Sequence, residues 1–214
     1  MRYLSLVLLG AALMSPVPGA AQMRAEFGPV FGYYRPYGSF DAASVYSTAL
    51  PQAPKDLKGH AWGADARVWF GSRFGAELRG SLARSTIPST NTPGGPSGTT
   101  RADVMTVTAQ GLLTLVGTPA QRQIWLSAGV GAIRHGGQAY QRYGTPMDVG
   151  PVVGGGARFG ITRDLHATVG LSSLLYVFDI PMPPELSLNP GSLEHGRQID
   201  VLVHFGITWM VGGH

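Results

Sequence analysis

The sequence predicts an all-β fold, an eight-stranded antiparallel up-and-down β-barrel, and three observations lead to it. Eight segments of the 214-residue chain alternate apolar with polar or small side chains, the period of a strand whose two faces meet different surroundings. The connections between these segments alternate between long and short. Only 13% of residues are charged while 31 are glycine, a composition poor in solvated helix surface and rich in tight turns and close backbone approach.

Taken in order, the first segment is Glu26 to Tyr34, which ends before Arg35-Pro36. Gly59 to Phe70 and Phe74 to Ser85 flank the short turn Gly71 to Arg73. Ala102 to Val116 follows a stretch punctuated by Pro88, Asn91, Pro93, Gly94, Gly95 and Pro96. Ile124 to Arg134 comes after the short link Gly117 to Gln123, and Val149 to Ile161 is joined to Leu165 to Val177 by Thr162 to Asp164. Gln198 to Val211 closes the series. The long connections are Arg35 to Lys58, Thr86 to Arg101, His135 to Asp148 and Phe178 to Arg197. In an up-and-down meander successive connections fall on opposite rims, so one rim carries every long loop and the other carries short turns and both chain ends. Transmembrane barrels have this asymmetry, with short periplasmic turns and longer external loops.

The N-terminus reads as an export signal. Arg2 precedes an apolar run from Leu4 to Met14, Ser15-Pro16-Val17-Pro18 breaks it, and small residues follow at Gly19-Ala20-Ala21. The run is about 11 residues, roughly half of the ~20 that a spanning helix needs. The expected organisation is a cleaved signal peptide over residues 1–21 and one barrel domain over 22–214. No other stretch approaches ~18 consecutive apolar residues, so any crossing of a membrane is made with strands.

Strand parity assigns faces. In the third segment Phe74, Ala76, Leu78, Gly80 and Leu82 share one side, against Gly75, Glu77, Arg79, Ser81 and Ala83. In the seventh, Leu165, Ala167, Val169, Leu171 and Leu175 oppose His166, Thr168, Gly170 and Ser172; in the eighth, Ile199, Val201, Val203, Phe205, Ile207 and Trp209 oppose Asp200, His204, Gly206 and Thr208. A soluble lipocalin-like barrel points its apolar face inward and covers the other with Lys, Glu and Asp. Here the second face is mostly Gly, Ser and Thr with a few charges of both signs, which suits a crowded interior, so the apolar face is assigned to lipid. Aromatic residues then form two expected girdles: Phe27, Phe70, Phe74, Phe159 and Trp209 at the short-turn rim, and Tyr33, Tyr34, Trp62, Tyr176 and Phe178 at the other.

On strand number, loop asymmetry and girdles, nearly the whole mature chain resembles the small eight-stranded outer-membrane barrels of the OmpA transmembrane-domain and OmpX type. The resemblance implies residence in the cell outer membrane of a Gram-negative-type bacterium, as a monomer contacting membrane lipid and lipopolysaccharide, inserted by the barrel-insertion machinery. The chain departs from that family at its end, where Trp209 is followed by Met210-Val211-Gly212-Gly213-His214 in place of a terminal aromatic.

The hairpin from Gly59 to Ser85 carries the most informative charges. With Phe70 and Phe74 flanking a three-residue turn, Arg67 faces Glu77 and Asp65 faces Arg79, whereas a shift by two would set like charges opposite. The interior of an eight-stranded barrel is just wide enough for side chains to fill. A lumen charge network of Asp65, Arg67, Glu77 and Arg79 is therefore expected, joined by Arg158 beside Gly154 and Gly156 and by His166 and His204 from neighbouring strands.

Other chemistries find no footing. Cysteine is absent, which removes disulfides, thiolate metal sites and cysteine nucleophiles. The net charge of +4 comes almost wholly from arginines spread singly through the strands, with Lys55 and Lys58 the sole lysines, so no nucleic-acid partner is expected. No His-x-x-x-His, Glu-x-x-His or Gly-x-Ser-x-Gly pattern occurs; Ser172-Ser173 lies within a strand, and Gly154-Gly155-Gly156 lacks the spacing of a phosphate loop. No catalytic residue, metal or cofactor is assigned. The expected function is a structural or surface-interaction role for a barrel plugged by its ion pairs. The alternatives are a small-solute or ion channel, a lipid-modifying outer-membrane enzyme and a soluble periplasmic ligand binder. The long loops, with Phe40, Tyr46, Leu50 and Leu57 in the first and Ile180, Met182, Leu186 and Leu188 in the fourth, supply apolar groups for capping the barrel or meeting a partner.

Overall fold

A computed structural model describes the backbone of residues 23–38, 59–90, 97–118, 122–137, 147–181 and 193–211, and the side chains of these except at 38, 86–100 and 178–196. The expected signal peptide, the loop residues Phe40, Tyr46, Leu50, Leu57, Met182, Leu186 and Leu188, and the last three residues lie outside this set.

Eight strands follow one another: β1 Met23–Gly38, β2 Gly59–Phe70, β3 Phe74–Thr90, β4 Ser97–Gly117, β5 Arg122–Gly136, β6 Met147–Gly160, β7 Leu165–Pro181 and β8 Leu193–Val211. Each pairs antiparallel with its chain neighbours, and β1 pairs with β8, so the sheet closes into a barrel. Closure leaves no sheet edge unpaired, which a sheet in hydrocarbon requires.

The strands are longer than alternation predicts, and the extra length lies mainly on the long-loop side. Thr86 to Arg101, read from composition as a loop, instead continues the β3–β4 ladder out to Thr90 opposite Ser97. The β7–β8 ladder likewise runs to Pro181 opposite Leu193. Ladder hydrogen bonds between two extended strands hold segments whose Pro, Ser, Thr and Gly content reads locally as turn.

The turn between β2 and β3 behaves as expected. Gly71 has φ 73°, a left-handed conformation that a Cβ disfavours, and it sets Phe70 opposite Phe74. Arg67 therefore pairs in register with Glu77, and Asp65 with Arg79. A bulge between Thr114 and Val116 leaves both Leu115 and Val116 facing out.

Burial follows strand parity. Leu78, Val130, Leu171, Phe205 and Ile207 are exposed on the outer wall, whereas Asp65, Arg67, Glu77, Arg79 and Arg158 are buried inside. Along β4 the outward residues from Leu115 to Met105 are apolar or small. That is about 33 Å of strand, and roughly 25 Å along the axis at the tilt of ~40° usual for such barrels, the height of an outer-membrane apolar band.

Candidate functional site: a two-layered lumen

Among the described residues, charged side chains from distant strands meet in the interior, which is built in two layers. In the short-turn half, Arg67 of β2 is the hub. Its Nε donates to Glu77 Oε2 at 2.6 Å, its Nη2 pairs with Asp65, and its Nη1 lies 4.0 Å from Glu26 of β1. Glu26 also pairs with Arg158 of β6, and Thr208 Oγ1 reaches it at 3.5 Å. Arg79 pairs with Glu77 at 2.7 Å, and its Nη1 approaches His204 Nδ1 at 3.1 Å and Ser172 Oγ at 3.5 Å. Three carboxylates and three guanidiniums thus neutralise one another away from water, the condition for burying charge at tolerable cost.

Two tryptophans floor this network. Trp69 and Trp125 meet edge to face with centroids 6.3 Å apart, Arg67 lies 5.1 Å over the Trp125 ring, and Arg158 lies 5.6 Å over Trp69. Such stacking favours cations strongly where water is excluded. Gly156 makes room: a Cβ there would stand 2.6 Å from the Trp125 ring. That contact gives the Gly154-Gly155-Gly156 run a packing role. Gly170 does the same for the His204 ring, which a Cβ would meet at 2.4 Å.

The long-loop half is mainly apolar, with a polar cluster around Asp200. Every strand contributes to one cluster: Tyr34, Ala61, Ala83, Val104, Ile133, Val152, Leu174 with Tyr176, and Leu202 packed against them. Asp200 sits at this layer with its carboxylate accepting from Tyr34, from Tyr176 at 2.9 Å and from Gln198 at 3.0 Å, and Tyr176 also meets His135 Nε2 at 3.2 Å.

All seven residues expected in the lumen are buried inside the barrel, and six of them are in one connected network with Glu26. Asp65, Arg67, Glu77, Arg79 and His204 link directly; Arg158 joins through Glu26. His166 is buried opposite Thr208 on the neighbouring strand. One pairing differs from the expectation. Asp65 faces Arg79 in register, but its ion pair runs along its own strand to Arg67, because side chains two residues apart share a face and arginine is long enough to reach.

Two aromatic assignments are corrected. Tyr34 and Tyr176 point into the lumen, where their hydroxyls serve Asp200, and are not girdle residues. Parity decides this, since each shares its face with inward residues, Glu26 and Val30 for Tyr34, Ser172 and Leu174 for Tyr176. Phe27, Phe70, Phe74, Phe159 and Trp209 are exposed at the short-turn side, and Tyr33 and Trp62 at the other. Phe178 lies in β7, with its side chain outside the described ones.

Sequence reasoning missed Glu26, Gln110, Gln123, Trp69 and Trp125 as interior groups, and it placed Asp200 on the inward face without giving it partners. For Glu26 inward parity was the available signal; its pairing with Arg158 on β6 had none. Gln110 donates to Thr108 at 3.2 Å and Gln123 to Thr114 at 2.5 Å. Among the described residues no three His, Asp or Glu side chains gather as a metal-binding set.

No protein-family model and no curated protein matches the chain. Solved structures do resemble it. The outer membrane protein AlkL, determined in lipid bilayers, aligns over 93% of this chain and 96% of its own, with a TM-score of 0.55 and 10% identity. The outer membrane protein OprG from Pseudomonas aeruginosa aligns over 91% and 97%, with a TM-score of 0.53 and 9% identity. The likeness is one of fold: a closed eight-stranded barrel of nearly the same extent.

Proposed function

We propose that the chain is an integral outer-membrane barrel with a structural or surface-interaction role, whose lumen is closed to free diffusion. The observation that carries this reading is the sorting of side chains. Large apolar residues cover the outer wall over a bilayer-high band, while the charges of the short-turn half neutralise one another within. Water would favour the reverse arrangement and hydrocarbon favours this one. The structures of AlkL and OprG, both described as outer membrane proteins, support the same reading.

Closure has two supports. The ion-pair network fills the short-turn half, and an apolar layer from all eight strands fills the long-loop half. An ion crossing the lumen would have to displace the first and shed its hydration in the second. The long loops, on the rim away from the chain ends, are left as the surface for contacts outside the cell.

Planar-bilayer recording of the purified protein tests closure. The expected result is a silent bilayer for both the wild type and Arg79→Ala, because the apolar layer remains in the variant. Steady unitary openings of the wild type would establish the channel alternative. Partition of the exported protein into the soluble fraction after cell lysis would overturn membrane residence itself.

A further inference from the structure

The outer wall changes character abruptly on the β3–β4 pair. Going toward the long loops, the outward positions of β4 run Val107, Met105, Asp103, Arg101, and those of β3 run Leu78, Gly80, Leu82, Arg84. Arg84 stands opposite Asp103, and Arg101 lies one outward position further out. Arg101 holds Asp103 with two contacts, Nε to Oδ1 at 3.0 Å and Nη2 to Oδ2 at 2.7 Å. Arg84 reaches the same carboxylate through Nε at 3.6 Å and lies 5.9 Å over the exposed ring of Trp62.

Two guanidiniums therefore share one carboxylate. Both arginine side chains are 54% exposed while that of Asp103 is 21% exposed, so the excess positive charge is on the outside of the cluster. Among residues with described side chains, Asp103 is the one acidic residue on the outer wall of the strands, whereas Arg35, Arg134 and Arg197 also face outward toward this rim. At the edge of the apolar band these groups meet lipid headgroups, where an unneutralised guanidinium seeks a planar or tetrahedral oxyanion.

We propose that Arg84 and Arg101, with Trp62 beneath Arg84, form a binding site for the phosphate groups of an outer-leaflet glycolipid of the lipid A class. The site rests on the membrane reading given above, which puts the long-loop rim at the external leaflet. Asp103 orients the two guanidiniums and leaves their remaining N–H groups for the ligand. Trp62 and Met105, both exposed, offer apolar surface to the upper acyl chain segments of the same molecule.

The test is binding of bisphosphorylated lipid A to the full mature chain refolded in neutral detergent micelles. Dephosphorylated lipid A and phosphatidylglycerol serve as comparison ligands. The double variant Arg84→Gln/Arg101→Gln is expected to bind bisphosphorylated lipid A about tenfold more weakly or worse, the loss of at least one charge-assisted hydrogen bond. Arg84→Lys/Arg101→Lys should recover much of the loss, and Arg122→Gln, at the opposite rim, should bind as the wild type does. Dephosphorylated lipid A should bind the wild type no better than the Gln double variant binds the phosphorylated form. Equal binding of phosphorylated and dephosphorylated lipid A, an unaffected double variant, or phosphatidylglycerol bound as tightly would each overturn the site. Should the double variant fail to refold, the wild type's preference among the three ligands decides alone. Vesicle insertion, measured alongside, separates the two claims: a chain that does not insert refutes the membrane reading, and one that inserts without phosphate preference refutes only this site.

Discussion

In the short-turn half of the lumen Arg67 lies among Asp65, Glu77 and Glu26, and in the long-loop half Ile133, Val152 and Leu174 lie among alanines, Val104 and two tyrosine rings. Both halves are buried, yet they respond differently to loss. The ionic half is all or nothing: each carboxylate depends on a guanidinium it shares with others, so one deletion strands several charges. The apolar half is graded, because removing a methylene forfeits only its own transfer energy and the contacts around the gap. An eight-stranded barrel thus combines a register device with an apolar packing layer in one narrow core.

Arg67→Ala is the strongest way to break this contrast. It leaves three buried carboxylates with fewer partners and is expected to cost on the order of 3 to 5 kcal/mol, read from urea unfolding in lipid vesicles. A smaller loss than for a truncation in the apolar half would show that the network is not the more fragile layer. Leu174→Ala, in that second layer, is expected to cost about 2 to 4 kcal/mol by the same measurement, with the value tracking the cavity it leaves. Gly170→Ala tests packing at the boundary, since the new Cβ would meet the His204 ring at 2.4 Å. Its cost should be about 1 to 3 kcal/mol, and His204→Ala in the same chain should relieve part of it. Tyr176→Phe is the mildest, at about 1 kcal/mol, because Tyr34 and Gln198 still donate to Asp200 when the 2.9 Å bond is gone.

Much of the barrel was legible because its determinants are local. The Gly71 turn and the cost of like charges face to face settle the β2–β3 register, and strand parity places Glu77, Arg79, His166 and His204 indoors. What was not legible is set across the lumen. Glu26 meets Arg158 five strands on in the chain order, and Tyr34 meets Asp200 where β1 closes on β8 at a separation of 166 residues, distances over which no sequence period speaks. The apolar layer draws from every strand, so no single segment reveals it. Tyr34 and Tyr176 are misread as girdle residues when position near a strand end is weighed above parity, although the alternation of their own strands already turns them inward. The outer ends of β3, β4, β7 and β8 are misread as loops because ladder pairing overrides a turn-like composition.

The four tryptophans offer the most direct test of the inside-out arrangement, since Trp62 and Trp209 face outward while Trp69 and Trp125 are buried in the lumen. Four variants, each retaining one tryptophan with the others replaced by phenylalanine, would be reconstituted in vesicles of lipids brominated on their acyl chains. An outward apolar wall with a buried polar lumen gives strong quenching of Trp62 and Trp209 and spares Trp69 and Trp125. Quenching of the Trp69 and Trp125 chains with Trp62 and Trp209 left bright would contradict it.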